Sequence, residues 1–301
     1  MTSRTITFAK QHTPNSLRVV ARRAQLEAHN ARLRFTVPVA ARSPYQNIYH
    51  CPIRKAASQW IQALFMDALV YRYSGLLPYV PRYYTWRHPQ PIPPGRAALS
   101  LYLSYKRFET LPKPENHRVF FVLRDPRDIV VSSYFSNRNS HTPMGDVLEV
   151  RKVLLEKPMK EGLLYVIGHL AKKRTFSGLR SWATAADSET TRLFRYEDLT
   201  GERQLDAVGD LMRHCGIVLP PAELQGLLAR YSFARMKSDR EVAAPTSHYR
   251  KGKPGDWQNY FDDDVHEAFE AAAGNLVDLL GYPARGSAQA SSAEYTWRPS
   301  T

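Results

Sequence analysis

Short apolar runs that lead straight into helical spacing mark the middle of this chain. From Gln46 the sequence reads as a short strand, then a tight loop carrying Arg54 and Lys55, then a helix opening near Ser58 and running toward Tyr73. Arg118 to Leu123 is nearly all apolar, which predicts a strand covered on both faces. Asp125 suits a cap and Pro126 a first helical position, so a second helix starts directly after that strand. Ala97–Ser104 and Thr191–Arg195 predict further strands. Apolar spacing predicts helices at Met144–Leu155, Lys160–Leu179, Gln204–His214, Ala222–Tyr231 and Asp264–Leu280. Strands alternating with helices imply an α/β protein: a three-layer α/β/α domain around a central parallel sheet.

The flanks follow other patterns. Residues 1–44 form a basic arm. Within it, 17–34 has helical spacing and many arginines, which fits either an accessory helix packed on the domain or a mobile arm. Residues 78–95 hold six prolines with Tyr83, Tyr84 and Trp86; that density excludes a helix interior or a central strand and predicts a long loop. Residues 282–301 are rich in Ala and Ser and read as a disordered tail. The folded domain is expected at 45–281.

Charge narrows the partners. Forty-two Lys and Arg against 28 Asp and Glu give the 301-residue chain a formal charge of +14, which favours acidic ligands. Basic residues do not form long runs and no nucleic-acid signature is present, so nucleic acid is not expected as a partner. Two isolated cysteines, Cys51 and Cys215, make no disulfide framework. The first residues lack an apolar signal region and no apolar run is long enough to span a membrane, so a cytoplasmic location is expected.

Three basic clusters carry the chemistry: Arg54-Lys55, Arg124 with Arg127, and Arg250-Lys251-Gly252-Lys253. Ligands of open parallel sheets bind beyond the carboxyl ends of the strands, where the first two clusters fall. A strand feeding a helix through a short loop aims backbone N–H groups and the helix dipole at one point, which makes an anion site. The loop lacks the Gly-x-x-x-x-Gly-Lys-[Ser/Thr] of a nucleoside-triphosphatase, which disfavours a kinase, and no dinucleotide, metal-ligand or nucleophile-elbow motif is present.

Five segments, in order, resemble the sulfotransferases that use 3′-phosphoadenosine 5′-phosphosulfate (PAPS). Arg54-Lys55-Ala56-Ala57-Ser58-Gln59-Trp60 lines up with that family's phosphosulfate loop, Pro-Lys-Ser-Gly-Thr-Thr-Trp. Arg124 and Ser132 match its 3′-phosphate segment, and Tyr196-Glu197-Asp198 its adenine-side Tyr-Glu-Asp. Ser232-Phe233 with Met236-Lys237 resembles its Ser-Phe-x-x-Met-Lys, and Arg250-Lys251-Gly252 with Gly255-Asp256-Trp257 its C-terminal grip on the 3′-phosphate. The resemblance implies a phosphate-loop-NTPase-like sulfotransferase fold and PAPS as donor, with adenosine 3′,5′-bisphosphate (PAP) as product. It also implies that no metal is needed and that the acceptor is a small molecule, aromatic or saccharide, offering a hydroxyl or amine. Lys55 would act at the leaving oxygen. Residues 54–60, Arg124, Ser132, Tyr196, Ser232, Phe233, Arg250, Lys251 and Gly252 would hold the cofactor.

Departures stand beside these matches. Ala57 replaces a loop glycine, so it must either keep a negative φ or bear strain. The family's Lys-Thr-His base is missing from the segment before Arg118; Glu109 is the leading substitute, with Tyr105 and His88 as rivals. The family's dimer motif is absent after Phe261, which leaves the oligomeric state open. The missing base also admits an alternative, a catalytically impaired sulfotransferase-like protein that only binds a nucleotide.

Overall fold

The computed structural model describes residues 15–84, 90–140, 145–185, 188–236, 238 and 254–284 of the chain. Five strands make one sheet: β1 Asn47–Pro52, β2 Leu77–Tyr79, β3 Arg96–Ala98, β4 His117–Leu123 and β5 Thr191–Arg195. They lie in the order β2-β3-β1-β4-β5, and all their pairings are parallel. The central pair is apolar on both faces. Tyr49, Cys51, Val119, Phe121 and Leu123 enter one core cluster, while Ile48, Phe120, Val122 and Phe194 enter the other. Alternation along a strand sends successive side chains to opposite faces, so these runs need helices above and below.

The first layer contains α5 Pro126–Phe135, α6 Val147–Glu156, α7 Met159–Lys172, α8 Thr175–Ala183 and α12 Asp263–Ala273. The second contains α2 Ser58–Met66, α3 Ala68–Arg72, α9 Tyr196–Thr200, α10 Gln204–His214 and α11 Pro221–Arg230. An N-terminal helix, α1 Asn15–Thr36, lies against the β2 edge, where Asn30 Nδ2 donates to the Pro78 carbonyl at 3.1 Å. His29 Nε2 also meets the Met66 carbonyl at 2.9 Å. Of the two possibilities for this segment, the described part is thus the packed accessory helix. Short helices α4 Tyr105–Glu109 and α13 Leu276–Leu279 complete the set.

Several expectations change. Pro78 lies inside β2, not in a loop. A proline is tolerated there because β2 is an edge strand, with one side free of a partner. The strand expected over Ala97–Ser104 stops at Ala98; Ser100 takes φ +63°, and Ser104 Oγ accepts from Arg107 N to cap α4. The single helix expected over Lys160–Leu179 breaks into α7 and α8 at Arg174, φ +57°. The closing helix breaks at Gly274, whose φ of +60° with ψ −142° is a conformation essentially reserved for glycine. Cys51 and Cys215 are both buried and unpaired.

Because β3 lies on one side of β1 and β4 on the other, the chain reverses its direction of winding at β1. A crevice opens there beyond the carboxyl ends of β1 and β4. The loops after these two strands face each other across it.

Candidate anion site at the ends of β1 and β4

The loop between β1 and α2 carries the most unusual backbone in the described protein. Lys55 has φ +70° and Ala57 has φ +54°. Left-handed conformations cost an L-residue with a Cβ about 1–2 kcal/mol each. Of the two options left by the missing glycine, Ala57 therefore takes the strained one. It is the residue before α2, and no side chain caps that helix. The first-turn N–H groups and the positive end of the dipole are thus left for something outside the helix. Ala56 is fully buried beneath the loop, which keeps its backbone close to the sheet.

A second strand–turn–helix unit braces the first. Arg124, the residue after β4, donates from Nη1 to the Lys55 carbonyl at 2.8 Å. Its Nη2 stands 3.6 Å from Asp128 Oδ2, one turn along α5, and its guanidinium lies 4.3 Å over the Tyr196 ring. Its Nε is buried without a partner. Asp128 is also a clasp: its Oδ2 accepts from Gly255 N at 2.8 Å and its Oδ1 from Trp257 N at 3.0 Å. Burial pushes the Asp128 carboxyl up, and Arg124 with the two N–H donors opposes that shift. Asp128 thereby fixes the chain just after the Arg250-Lys251-Gly252 motif next to Arg124.

Further supports surround the pair. Arg127 makes two bonds to Asp125, Nε to Oδ1 at 3.0 Å and Nη2 to Oδ2 at 2.7 Å, and lies 3.8 Å over Trp257. Glu197 Oε1 accepts from Asp125 N at 3.1 Å, and its Oε2 accepts from the Tyr282 hydroxyl at 2.8 Å. Burial pushes Glu197 up to about 7. Trp60 Nε1 donates to the Tyr231 carbonyl at 3.0 Å, which ties α2 to the end of α11. The next residues are Ser232, half-buried, and Phe233, 39% exposed. Trp60 and Tyr196 are both buried in the same cluster.

The electrostatics favour an anion. Burial and the Arg124 charge lower the Lys55 ammonium to about 8, burial being the larger cause. Among the described residues, no carboxylate lies within ion-pair distance of Lys55. On the open side, Ser58 Oγ shares a hydrogen bond of 2.8 Å with the Tyr102 hydroxyl, and Arg54 Cζ lies 5.7 Å from the Tyr102 ring centroid. Gln59 is exposed and Ser132 half-buried. His88, Arg250, Lys251 and Gly252 lie outside the described residues.

The structure does not bring Glu109 or Tyr105 to this loop. Glu109 stands 3.7 Å from Lys113, and its charge reaches His117, the first residue of β4 and hence its amino end. Tyr105 packs edge-on against Trp182, and its hydroxyl engages Thr191, the first residue of β5. Both were expected as bases because they lie in the segment where the family carries its Lys-Thr-His. With β3 ending at Ala98, it is Tyr102 that reaches the loop. Two other contributors, Asp128 and Tyr102, were not singled out from the sequence. A carboxylate four residues after Arg124, in the first turn of the helix that follows, is a signal that points to the first.

The comparisons bear on the family and the fold. A family model described as "Sulfotransferase domain" matches residues 81–281, more than half of the chain. Sulfotransferase 2A1 of Rattus norvegicus is 27% identical over 169 residues, covering 51% of this chain and 54% of that protein. Sulfotransferase 2A6 of Mus musculus is 26% identical over 179 residues, covering 55% and 58%. The chain thus spans little more than half the length of these curated relatives. A crystal structure of mouse sulfotransferase SULT7A1 complexed with PAP superposes over 83% of this chain and 88% of that one. Its TM-score is 0.53 at 19% identity, a likeness of fold. The central parallel sheet and its flanking helices are therefore the phosphate-loop-like α/β fold of these enzymes, and the chain belongs to the sulfotransferase-domain family.

Proposed function

We propose that this protein transfers a sulfuryl group from PAPS to a hydroxyl or amine of a small-molecule acceptor and releases PAP. The observation that carries this is the strained, uncapped loop at Lys55, held from below by Arg124 and facing no carboxylate among the described residues. The residues fit the donor. An uncapped helix start with a half-buried lysine suits a phosphosulfate, and the orphaned Arg124 Nε suits a second phosphate nearby. Arg124 and Ser132, with Arg250, Lys251 and Gly252, would hold the 3′-phosphate. Trp60, Tyr196 and Phe233 would take the adenine, with Ser232 at its edge. No metal is called for, since Lys55 and the arginines supply the positive charge.

Bound PAPS supplies the sulfuryl group: the acceptor oxygen forms a new S–O bond as the S–O bond to the 5′-phosphate breaks. Lys55 and the N–H groups of residues 55–58 meet the negative charge that grows on the departing phosphate oxygen. Arg124 holds the Lys55 carbonyl and so keeps the loop in register with the sheet. A base on the acceptor side takes the acceptor proton as the new bond forms.

A solved structural neighbour, retinol dehydratase in a complex with retinol and PAP, favours an apolar small-molecule acceptor, and the basic surface keeps a saccharide in view. Among the described residues, no helix is long and apolar enough to cross a membrane, and a cytoplasmic site of action is proposed with the activity. We place the catalytic unit at 45–281. Radiolabelled sulfate transfer from PAPS to a panel of acceptors, run beside calorimetry with PAP, tests the proposal. Transfer with PAP binding is expected; PAP binding without transfer to any acceptor would leave only a nucleotide-binding protein.

A further inference from the structure

Helix α1 brings a second, separate cluster of basic groups to the same end of the sheet. A groove of about 290 Å³ runs between α1, the first two turns of α2 and the short turn Pro81–Tyr83. Arg22 from α1 and Arg82 from the turn both approach the Tyr83 ring, at 5.8 and 5.2 Å from its centroid. Neither forms an ion pair with a carboxylate among the described residues. The acid on that side of α1, Glu27, is engaged by the Tyr84 hydroxyl at 3.0 Å. Two positive side chains lining one groove favour an anionic occupant. Gln25, Gln59 and Gln62 line the same groove and supply amide donors and acceptors of the kind that read hydroxyl groups.

This groove is joined to the Lys55 loop through α2. Ser58 meets Tyr102 on the loop side, while Gln59 and Gln62 line the groove. Gln62 Oε1 accepts from Ser100 Oγ at 3.4 Å, two residues before Tyr102. The groove thus lies along the same helix whose first turn opens at the Lys55 loop.

We propose that the groove is an acceptor subsite for an anionic, hydroxyl-rich group, a carboxylate or sulfate ester on a saccharide-like body. Arg22 and Arg82 take the acid, the glutamines take the hydroxyls, and a neighbouring hydroxyl of the same molecule is presented toward Lys55. This rests on the sulfotransfer proposed above.

The test uses two probes that differ in one group, 4-methylumbelliferyl β-D-glucuronide and the matching glucoside. Their binding to the PAP-loaded full chain is followed by ligand-detected NMR, which needs no turnover. The glucuronide should bind about tenfold more tightly, the value of one good charge-assisted contact. The Arg22→Gln/Arg82→Gln double variant should bind the two equally, and the preference should weaken with added salt. Equal binding by the natural sequence, or a preference that survives in the double variant, would overturn the subsite. PAP calorimetry on the same samples reports on the cofactor assignment separately. PAP binding with no glucuronide preference rejects the groove alone, and absence of PAP binding rejects the donor.

Discussion

The two strand–turn–helix units that meet at the crevice are built from similar parts and behave oppositely. In the second, Asp125 caps α5 by accepting from Arg127 N, Pro126 fills the first helical position, and the charged side chains bind one another. In the first, the residue before α2 is an alanine with positive φ, no side chain caps the helix, and Lys55 faces no acid among the described residues. Apart from Arg124 Nε, the second unit satisfies itself; the first is left open. A satisfied turn is a scaffold, whereas an open one with stored strain is a place for a ligand. Arg124 joins them, because one guanidinium serves its own helix through Asp128 and the neighbouring loop through the Lys55 carbonyl.

Breaking the scaffold should cost most. Asp128→Ala removes a buried carboxylate that holds Arg124, Gly255 N and Trp257 N, so stability should fall by about 3–5 kcal/mol in urea unfolding. A loss below 1 kcal/mol would mean that the second unit does not depend on that clasp. Arg124→Ala should weaken PAP binding by roughly 1.5–3 kcal/mol in calorimetry, because it frees the loop and removes a phosphate donor. Unchanged affinity would separate the two units.

Acidity probes the open unit. Lys55 acts when charged, and its ammonium sits at about 8 in the free protein. As pH rises through that value the charged fraction falls, so kcat/KM should drop about tenfold per unit above it. A profile flat to pH 10 would contradict the burial of Lys55. The smallest effect concerns strain. Ala57→Gly suits the left-handed φ and should raise stability by about 1 kcal/mol; a loss instead would show that Ala57 bears no strain.

The layering of the fold could be read from the chain because Val119–Leu123 is apolar on successive positions, a pattern that a sheet covered on both faces explains. Three local breaks could not. Ser100, Arg174 and Gly274 turn the chain with backbone angles that two non-glycine residues and one glycine do not announce. The turn at Ser100 matters most for the site, since it brings Tyr102 to the Lys55 loop. Lys55 and Arg124 were legible because each follows a strand directly. The Asp128 clasp was not, since its partners Gly255 and Trp257 lie more than 120 residues away.

The central claim is that the open loop holds the donor's phosphosulfate with Lys55 at the leaving oxygen. The most direct measurement is the single-turnover rate of sulfuryl transfer from PAPS by Lys55→Ala, with PAP affinity taken on the same protein. The rate should fall by on the order of 10²–10³ while PAP affinity changes little. A rate equal to that of the natural sequence would contradict the claim.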